Sequence, residues 1–595
     1  MSAAAESRRS PRRAWIRALE RTAAIGSDPS CTLPVLIDSL AERFGEACAL
    51  AGRNSTLSYR AFAALCRRYS RLALARGLAA GDVIALLMRN RPEYLAIWLG
   101  LTRTGVTVAL LNPELRGESL THCIGIVKPR LLICEAPLWG AVCEVRARLG
   151  AGVEIALFGP GESQLTRIDL EAGALAGDPL IESRHRAPTL SDRALYIYTS
   201  GTTGLPKAAN VSHRRLMQWS HWFSGLMDVT PDDRMYDCLP LHHSIGGVVA
   251  PGATLTAGGA LVLRERFSAG TFWPDVTEAR CTLLQYIGEL CRYLVNHRQM
   301  PEERQHCLRL ACGSGLAGDV WSAFKERFRI PQILEFYAST EGNVSLYNCE
   351  GRHGAIGRIP PVLAHRAPVA LVRHDDETGE PLRSADGRCI RAARGETGEA
   401  LGEIVAGSEL TRFEGYADAA ASRAKVLHDV FRAGDAWYRT GDLMRCDEAG
   451  FFYFVARVGD TFRWKGENVS AREIAGVLAA VQGVHDAVVY GVTVPHADGR
   501  AGMAALVVDA TFDRAQLRRH LGAELPPHAR PLFLRIVGAI PRTETLRPRT
   551  AELVREGYDP ARIADPLYLD DAVRAEYVPL DASLYARLHS GSLPR

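Results

Sequence analysis

This 595-residue chain lacks metal-ligand spacings, long apolar runs and a large excess of charge. Its fourteen cysteines form no C-x-x-C pair and no Cys/His cluster at zinc spacing, which predicts reduced, mostly buried thiols and no structural metal. The most apolar stretch, residues 94–112, contains Arg103 and Gly105 and falls short of the roughly 20 uninterrupted apolar residues of a transmembrane helix. A net charge of +4 without any nucleic-acid-binding signature argues against a nucleic-acid partner.

Lysine is also scarce, since only five of the 71 Lys and Arg residues are lysines. The N-terminus, residues 1–32, is a basic tail that carries a small apolar stripe of Trp15, Ile16 and Leu19. It has no apolar signal-peptide core, which argues against secretion. A solvated, frayed tail, a peripheral anchor on anionic lipid and a targeting presequence all remain open. We expect a cytoplasmic protein, with contact to the inner face of a membrane as an added possibility.

The first two thirds of the chain alternate helix-like and strand-like segments. Apolar residues at Phe62, Cys66 and Tyr69 lie on one face of a predicted helix. Buried strands are expected at residues 82–88 and within 106–112, with a helix between them, and this βαβ order is typical of a parallel, doubly wound sheet. Two glycine-containing loops follow strands, where open α/β sheets bind ligands.

From about residue 360 to 450 the chain has short segments rich in Gly, Asp and Glu, which predicts β-rich structure. Ser470 and Glu473 form an S-x-x-E capping box before an apolar-periodic helix, and two strands follow. We therefore predict an α/β protein with a large N-terminal domain over residues 33–456, including a β-rich subdomain, and a small α+β C-terminal domain over 457–595.

The segment "YIYTSGTTGLPKAA", residues 196–209, indicates phosphate binding. Gly201 and Gly204 leave backbone N–H groups uncovered, hydroxyl groups surround them, and Lys207 supplies an ammonium group. The pattern differs from a Walker loop, because Leu-Pro separates the last glycine from the lysine and proline stiffens the exit.

Together with later motifs, this segment resembles the signature of the adenylate-forming superfamily. The further motifs occur in the family's order: "CGSG" (312–315), "YASTEGN" (337–343), "YRTGD" (438–442) and "RVGDTFRWKGENVS" (457–470). Those motifs and "LVREGYDP" (553–560) are most similar to the branch of fatty acid transport proteins and very-long-chain acyl-CoA synthetases. The resemblance implies an adenylation domain, closed by a C-terminal lid domain whose movement serves two successive reactions.

The resemblance also implies the roles of individual residues. The catalytic residues would be Lys207, Thr340, Glu341 (the Mg²⁺ ligand), Arg457 and Arg547. The ATP and AMP site would comprise Thr199, Ser200, Gly201, Thr202, Thr203, Gly204, Gly313, Ser314, Gly315, Tyr337 and Asp442. His243 and Ala338 would border the acyl channel, with His242 as an alternative polar core residue, and Lys465 and Gly466 would lie on the CoA side.

One departure from the family pattern concerns the C-terminal catalytic lysine. Counting back from "EGYDP" places Arg547 at that position, with Glu544 instead of a glycine. No other lysine can replace it from that domain, because Lys465 is the last lysine in the chain. Arginine keeps the charge but presents a planar fork instead of a compact ammonium group. Ala338 is a second departure, since it adds a methyl group where the branch has glycine.

The resemblance therefore implies an ATP- and Mg²⁺-dependent ligase that joins a long- or very-long-chain fatty acid, or a similar aliphatic carboxylate, to CoA through an acyl-adenylate. The alternative, favoured by Arg547, is an adenylation-impaired protein that binds nucleotide or acyl ligand and assists fatty-acid uptake or regulation. A peptide-synthetase domain is disfavoured, because no carrier-protein site follows the C-terminal domain.

Overall fold

A computed structural model describes residues 10–150, 152–161, 164–180, 187–199, 205–366, 368–375, 379–458, 461–464, 467–495, 497, 499–542 and 548–590. The chain divides into two compact units. The first comprises Met1–Ile359 with Ile404–Val426, and the second comprises Pro360–Glu403 with Leu427–Arg595. The predicted domain boundary at Arg457 falls within the second unit and stays a prediction.

The first unit alternates helices and strands along most of its length. Its helices are α1 (Pro11–Ala23), α2 (Leu33–Phe44), α3 (Tyr59–Ala75), α4 (Pro92–Thr102), α5 (Gly117–Val127), α6 (Trp139–Val145), α7 (Ile168–Gly173), α8 (His213–Leu226), α9 (Ala250–Leu255), α10 (Ala269–Glu278), α11 (Gly288–Asn296), α12 (Gly318–Phe328) and α13 (Ala419–Arg423). Its strands are β1 (Cys48–Ala51), β2 (Thr56–Ser58), β3 (Val83–Leu87), β4 (Thr107–Leu111), β5 (Leu131–Glu135), β6 (Glu154–Phe158), β7 (Arg193–Thr199), β8 (Lys207–Ser212), β9 (Arg234–Asp237), β10 (Ala260–Leu263), β11 (Leu283–Ile287), β12 (Leu310–Ser314), β13 (Ile333–Ala338) and β14 (Ser345–Asn348).

Within the described residues, these strands form two sheets. The order of one is β14-β13-β12-β11-β9-β10-β1-β2, and that of the other is β6-β5-β3-β4-β7-β8. Pairing is parallel inside both sheets and antiparallel only at β14, β2 and β8. Parallel strands need crossover helices that cover the sheet, which explains the uninterrupted burial of β4 and β5. The predicted doubly wound α/β architecture is confirmed.

The predicted periodicities match the elements of this unit. Helix α3 buries Phe62, Cys66 and Tyr69, and the Ser58 hydroxyl caps it by accepting the backbone N–H of Ala61. The predicted strands of this unit appear as β3, β4, β7 and β13. The fourteen cysteines are all free, and most of them are buried, as the spacing predicted.

The described part of the N-terminus departs from the predicted frayed tail. Helix α1 packs on α8, and Trp15 meets Trp222 and Tyr347 edge-on at centroid distances of 5.8 and 5.7 Å. The two backbones approach so closely that a Cβ at Gly225 would lie 2.5 Å from Ala18 Cα. The frayed-tail interpretation is therefore wrong for residues 11–23, because Ala14, Trp15 and Ala18 are buried in the fold.

The arginines of α1 are also used in this packing. Arg21 donates to the Ser224 hydroxyl at 2.6 Å and to the Val229 carbonyl at 3.0 Å. Arg12 and Arg13 remain exposed. Peripheral contact of the basic N-terminus with anionic lipid stays a prediction. In the described part of the chain, no helix combines the length and apolar character that a membrane crossing requires.

The second unit is β-rich at first and then α+β. Its strands are β15 (Val369–Val372), β16 (Thr397–Glu403), β17 (Val426–His428), β18 (Ala436–Cys446), β19 (Phe452–Arg457), β20 (Thr461–Trp464), β21 (Glu467–Ser470), β22 (Val484–Thr493), β23 (Arg500–Val508), β24 (Phe533–Ile536), β25 (Leu567–Asp571) and β26 (Glu576–Pro579). Its helices are α14 (Ala471–Ala479), α15 (Arg514–Glu524), α16 (Thr550–Glu556) and α17 (Ala582–His589). The Ser470 hydroxyl caps α14 by accepting the Glu473 N–H at 3.4 Å, as predicted.

Candidate active site

The predicted phosphate loop joins two paired strands. Thr199 ends β7, Lys207 begins β8, and the two residues are register partners in the antiparallel pair. Residues 200–204 of the loop, which include five predicted ATP-binding residues, lie outside the described residues. Lys207 is partly buried, and its backbone is fixed beside the carboxyl end of β7 by the pairing with Thr199.

Tyr416 links the two residues expected to manage phosphate and metal charge. Its hydroxyl donates to Glu341 Oε1 at 2.7 Å, and Lys207 Nζ lies 5.5 Å from the centroid of its ring. The backbone of Tyr416 pairs antiparallel with Ala209 of β8, two residues beyond Lys207. A single tyrosine therefore holds a cation against its face and a buried carboxylate at its hydroxyl.

Helix α8 fastens the segment that carries Glu341. Arg215, in the first turn of α8, donates to the backbone carbonyl of Thr340 at 2.6 Å. Glu414 accepts from the N–H of Ser212 at 2.7 Å and from its hydroxyl, and the Glu414 N–H donates to the Glu341 carbonyl at 3.3 Å. Backbone contacts from two directions thus restrain Thr340 and Glu341, which reduces the freedom of the predicted metal ligand.

Four residues of the predicted ATP site, which the resemblance places at the adenine, lie at the carboxyl ends of β12 and β13: Gly313, Ser314, Gly315 and Tyr337. Gly315 follows β12 with φ +87°, a left-handed conformation that favours glycine. Tyr337 is buried on β13, and Ala338, at the end of that strand, is exposed. These residues belong to neighbouring parallel strands, so the fold gathers them at one edge of the sheet. Their role in base binding stays a prediction.

The two adjacent histidines have different environments. His242 is buried, and this burial lowers its pKa to about 3, so its ring is neutral at physiological pH. His243 is half-buried, with its ring 4.3 Å from that of His242. The structure thus assigns the core position to His242 and leaves His243 the more accessible of the two. Its place beside an acyl channel stays a prediction.

In the second unit, Asp442 and Arg457 face each other across β18 and β19. Arg457 Nε lies 3.1 Å from Asp442 Oδ1, and the Asp442 side chain is 8% exposed. Glu399 holds the residues of β18 that precede Asp442, because it accepts the Gly441 N–H at 3.0 Å and two contacts from Arg439 Nε at 2.9 and 3.0 Å. Asp442 is therefore a carboxylate held in place by a cation and by its position in the strand.

Three further predicted residues, Lys465, Gly466 and Arg547, lie outside the described residues. The chain on either side of Arg547 is nevertheless paired. Arg542 forms an antiparallel bridge with Pro548, and its guanidinium contacts Asp486 at 2.5 Å. The roles predicted for these three residues stay predictions.

Sequence reasoning missed the residues that orient Glu341. Tyr416 is 75 residues away from it, and Arg215 is 125 residues away from Thr340. Neither belongs to a local pattern that signals chemistry, because their function depends on contacts that only the folded chain makes. The sole local signal is the Gly-Tyr pair at 415–416, in which Gly415 has φ +67°.

Family models match the chain in two places. The model described as AMP-binding enzyme matches residues 37–417, and the model described as AMP-binding enzyme C-terminal domain matches residues 473–546. Together they span the segments that carry every predicted site residue up to Glu341 and much of the predicted lid.

Relatives and solved structures agree with these matches. The chain is 40% identical over 571 residues to long-chain fatty acid transport protein 1 of Homo sapiens, covering 94% of this chain and 88% of the relative. It is 41% identical over 522 residues to long-chain fatty acid transport protein 3 of Homo sapiens, covering 87% and 76%. The fold is similar to ATP-bound MatB from Rhodopseudomonas palustris, with a TM-score of 0.73 at 25% identity, covering 88% of this chain and 98% of that one. A benzoate CoA ligase from Burkholderia xenovorans shares the fold with a TM-score of 0.72 at 19% identity, covering 88% and 99%. This chain is therefore an adenylate-forming ligase of the AMP-binding enzyme family and belongs to its fatty acid transport protein branch.

Proposed function

We propose that this protein is an ATP- and Mg²⁺-dependent acyl-CoA synthetase that activates a long- or very-long-chain fatty acid. Family membership supports the ligase chemistry. The names of the relatives, long-chain fatty acid transport proteins, support a long-chain fatty acid as the substrate. Activation would proceed by attack of the acid's carboxylate on the α-phosphorus of ATP with release of pyrophosphate. The CoA sulfur would then attack the acyl carbon and displace AMP.

The observation that carries the proposal is the arrangement of Lys207, Tyr416 and Glu341. The reaction needs charge neutralised around a triphosphate and requires no covalent protein nucleophile. Lys207 supplies a positive charge against the Tyr416 ring, and Glu341 supplies a buried carboxylate whose direction the Tyr416 hydroxyl sets. Tyr416 thus contacts both the cation proposed to bind phosphate and the carboxylate proposed to bind the metal.

Glu341 fits the Mg²⁺ that the family implies. Mg²⁺ is usually bound by one or two carboxylates together with substrate phosphates, and Glu341 offers a hard oxygen ligand of that kind. Its Oε1 accepts the Tyr416 hydroxyl, so this hydrogen bond orients the carboxylate. When bound, Mg²⁺ would neutralise phosphate charge during the displacement. Thr340 would place its hydroxyl beside the phosphates, and the Ser244 hydroxyl lies 3.2 Å from it.

The second unit would serve the ribose. Asp442 is a carboxylate with two oxygens, suited to accept both ribose hydroxyls, and Arg457 holds one of these oxygens at 3.1 Å. The strand pairing of β18 and β19 keeps the two side chains adjacent. We assign CoA binding to the segment around Lys465 on the resemblance alone.

The test is an assay that records pyrophosphate release and acyl-CoA formation separately, with Mg·ATP, CoA and a panel of fatty and sterol acids. Lys207→Ala should lower both products about 100-fold or more, since it removes a charge from the phosphate site. Lys325→Ala is the matched control, because Lys325 is exposed on α12 and should change neither product. Equal activity of the two variants would contradict the proposed role of Lys207.

The same assay distinguishes the adenylation-impaired alternative, which depends on Arg547. Acyl-CoA formed by the unaltered protein, with little gain in Arg547→Lys, would establish a ligase that works with arginine. If the unaltered protein releases no pyrophosphate and Arg547→Lys does, the efficient-ligase proposal is refuted and a binding protein on a ligase fold remains.

A further inference from the structure

A buried carboxylate, Glu335, holds the turn that follows β12. Its Oε1 accepts two backbone amides of that turn, Gly315 N–H at 2.5 Å and Leu316 N–H at 3.0 Å. Glu335 lies on the neighbouring strand β13 and is 1% exposed. A carboxylate removed from water in this way needs several donors, and the turn supplies two of them.

Tyr286 fixes the other oxygen of this carboxylate. Its hydroxyl donates to Glu335 Oε2 at 2.5 Å, and both side chains are fully enclosed in the sheet. Tyr286 lies on β11, on the opposite side of β12 from Glu335. The contact therefore spans β12, and the carboxylate cannot rotate without giving up a buried hydrogen bond.

Close packing holds the same turn from the other side. A Cβ at Gly288, at the start of α11, would overlap the carbonyl group of Gly315. A Cβ at Gly313 would overlap the Tyr286 ring. Both glycines thus allow backbone to approach backbone without a gap. The turn is consequently confined by shape as well as by hydrogen bonds, and among the described residues Glu335 is the acceptor of both amides.

This arrangement determines what the turn can offer to a ligand. Because Glu335 occupies the N–H groups of Gly315 and Leu316, these two donors are not available to a base placed against the turn. An exocyclic amino group, as at position 6 of adenine, is itself a donor and does not need them. A purine with oxygen at position 6 presents an acceptor there and would find both donors already engaged.

We propose that Glu335 is a positioning residue that sets the 313–316 turn for a 6-aminopurine nucleotide and thereby contributes to selection of ATP. The proposal rests on the proposed function and on the place that the resemblance gives Gly313, Ser314 and Gly315 in the ATP site. Glu335 itself need not touch the nucleotide, because it acts through the backbone amides that it holds. The length of the side chain (its reach) is the property that matters, since one carboxylate oxygen has to accept hydrogen bonds from both amides.

Two conservative variants separate reach from charge. Glu335→Gln keeps the length and a carbonyl oxygen for the two amides, and its NH₂ group can donate to the Tyr286 hydroxyl. Glu335→Asp keeps the charge but is shorter by one methylene group. We expect Glu335→Asp to weaken ATP binding about tenfold and Glu335→Gln to weaken it less than about threefold, because only the former loses the hydrogen bonds to the turn.

The readouts are the Kd for Mg·ATP by calorimetry and the ratio of kcat/KM for ATP to that for ITP, which carries oxygen at position 6. We expect the ratio to fall in Glu335→Asp and to persist in Glu335→Gln, while the KM for the fatty acid stays within about twofold, because the proposed role of the turn concerns the base. Thermal midpoints of both variants are recorded, since a residue that only stabilises the fold would lower the midpoint without changing the ATP/ITP ratio.

The outcomes are distinct. Unchanged nucleotide affinity and ATP/ITP ratio in Glu335→Asp would overturn the proposal, as would equal losses in both variants, which would indicate that keeping the side-chain length does not preserve the turn. If Glu335→Asp does not fold, loss of the ratio in a folded Glu335→Gln overturns it and retention supports it. Failure of the unaltered protein to bind Mg·ATP would instead refute the proposed function itself.

Discussion

Replacing Tyr416 by phenylalanine removes one hydroxyl and leaves the ring in place. The ring faces Lys207 Nζ at 5.5 Å, and the hydroxyl donates to Glu341 Oε1 at 2.7 Å, so Tyr416→Phe isolates the second contact from the first. Tyr416 is 6% exposed, which leaves little water to replace the missing donor. Glu341 would then lose the hydrogen bond that sets its direction.

The expected size follows from the type of hydrogen bond. A bond to a charged group contributes about 1.5 to 3 kcal/mol, which corresponds to a loss of roughly 10- to 150-fold in an equilibrium or rate constant. We expect the loss to appear as a weaker apparent affinity for Mg²⁺, because Glu341 is the proposed metal ligand. Tyr416→Leu, which also removes the ring, should lose more than Tyr416→Phe.

The assay is pyrophosphate release as a function of Mg²⁺ at saturating ATP, combined with calorimetric titration of nucleotide with and without Mg²⁺. A Tyr416→Phe protein should need a higher Mg²⁺ concentration for half-maximal rate, and its metal-free nucleotide affinity should be unchanged. If the rate and the Mg²⁺ dependence both stay within about twofold of the unaltered protein, the hydroxyl does not position Glu341 and our reasoning is wrong.

Other predictions address the fold around the site. Burial lowers the pKa of His213 from 6.5 to about 4, so at pH 5 the unfolded chain binds a proton at this residue and the folded chain does not. His213 should therefore lower the free energy of unfolding by about 2 kcal/mol at pH 5 relative to pH 7. Denaturant midpoints should fall less steeply from pH 7 to pH 5 in His213→Phe than in the unaltered protein, and identical slopes would contradict the assignment. Trp15→Ala should lower the free energy of unfolding by about 3 kcal/mol and expose α1 to proteolysis, because Trp15 is only 7% exposed. Ile16→Ala, at an exposed position of the same helix, is the control and should leave the cleavage rate unchanged. Glu399→Ala should destabilise the second unit by about 3 kcal/mol, since it leaves the guanidinium of Arg439 without its buried partner, and a denaturation midpoint equal to that of the unaltered protein would disprove it.

The regular elements of the fold were predictable because their signals are local. Apolar spacing in residues 62–72 predicted α3, and the S-x-x-E pattern predicted the cap of α14. The N-terminus shows where this reasoning stops. Its stripe of Trp15, Ile16 and Leu19 is the same for a helix on a membrane and for a helix on a protein. Only the tertiary structure shows that Trp15 packs against Trp222 and that α1 approaches α8 closely at Gly225.

For the site, the sequence by itself determined the chemical groups: a lysine after a glycine-containing loop, a Thr-Glu pair after a strand, and an aspartate after a Thr-Gly pair. These motifs are contiguous, so a linear pattern contains them. The tertiary structure decided how those groups are held, by Tyr416 at Glu341, by Arg215 at Thr340 and by Glu335 at the 313–316 turn. The physical reason is that these contacts join residues 20 to 125 positions apart in the chain, and only folding brings them within hydrogen-bonding distance.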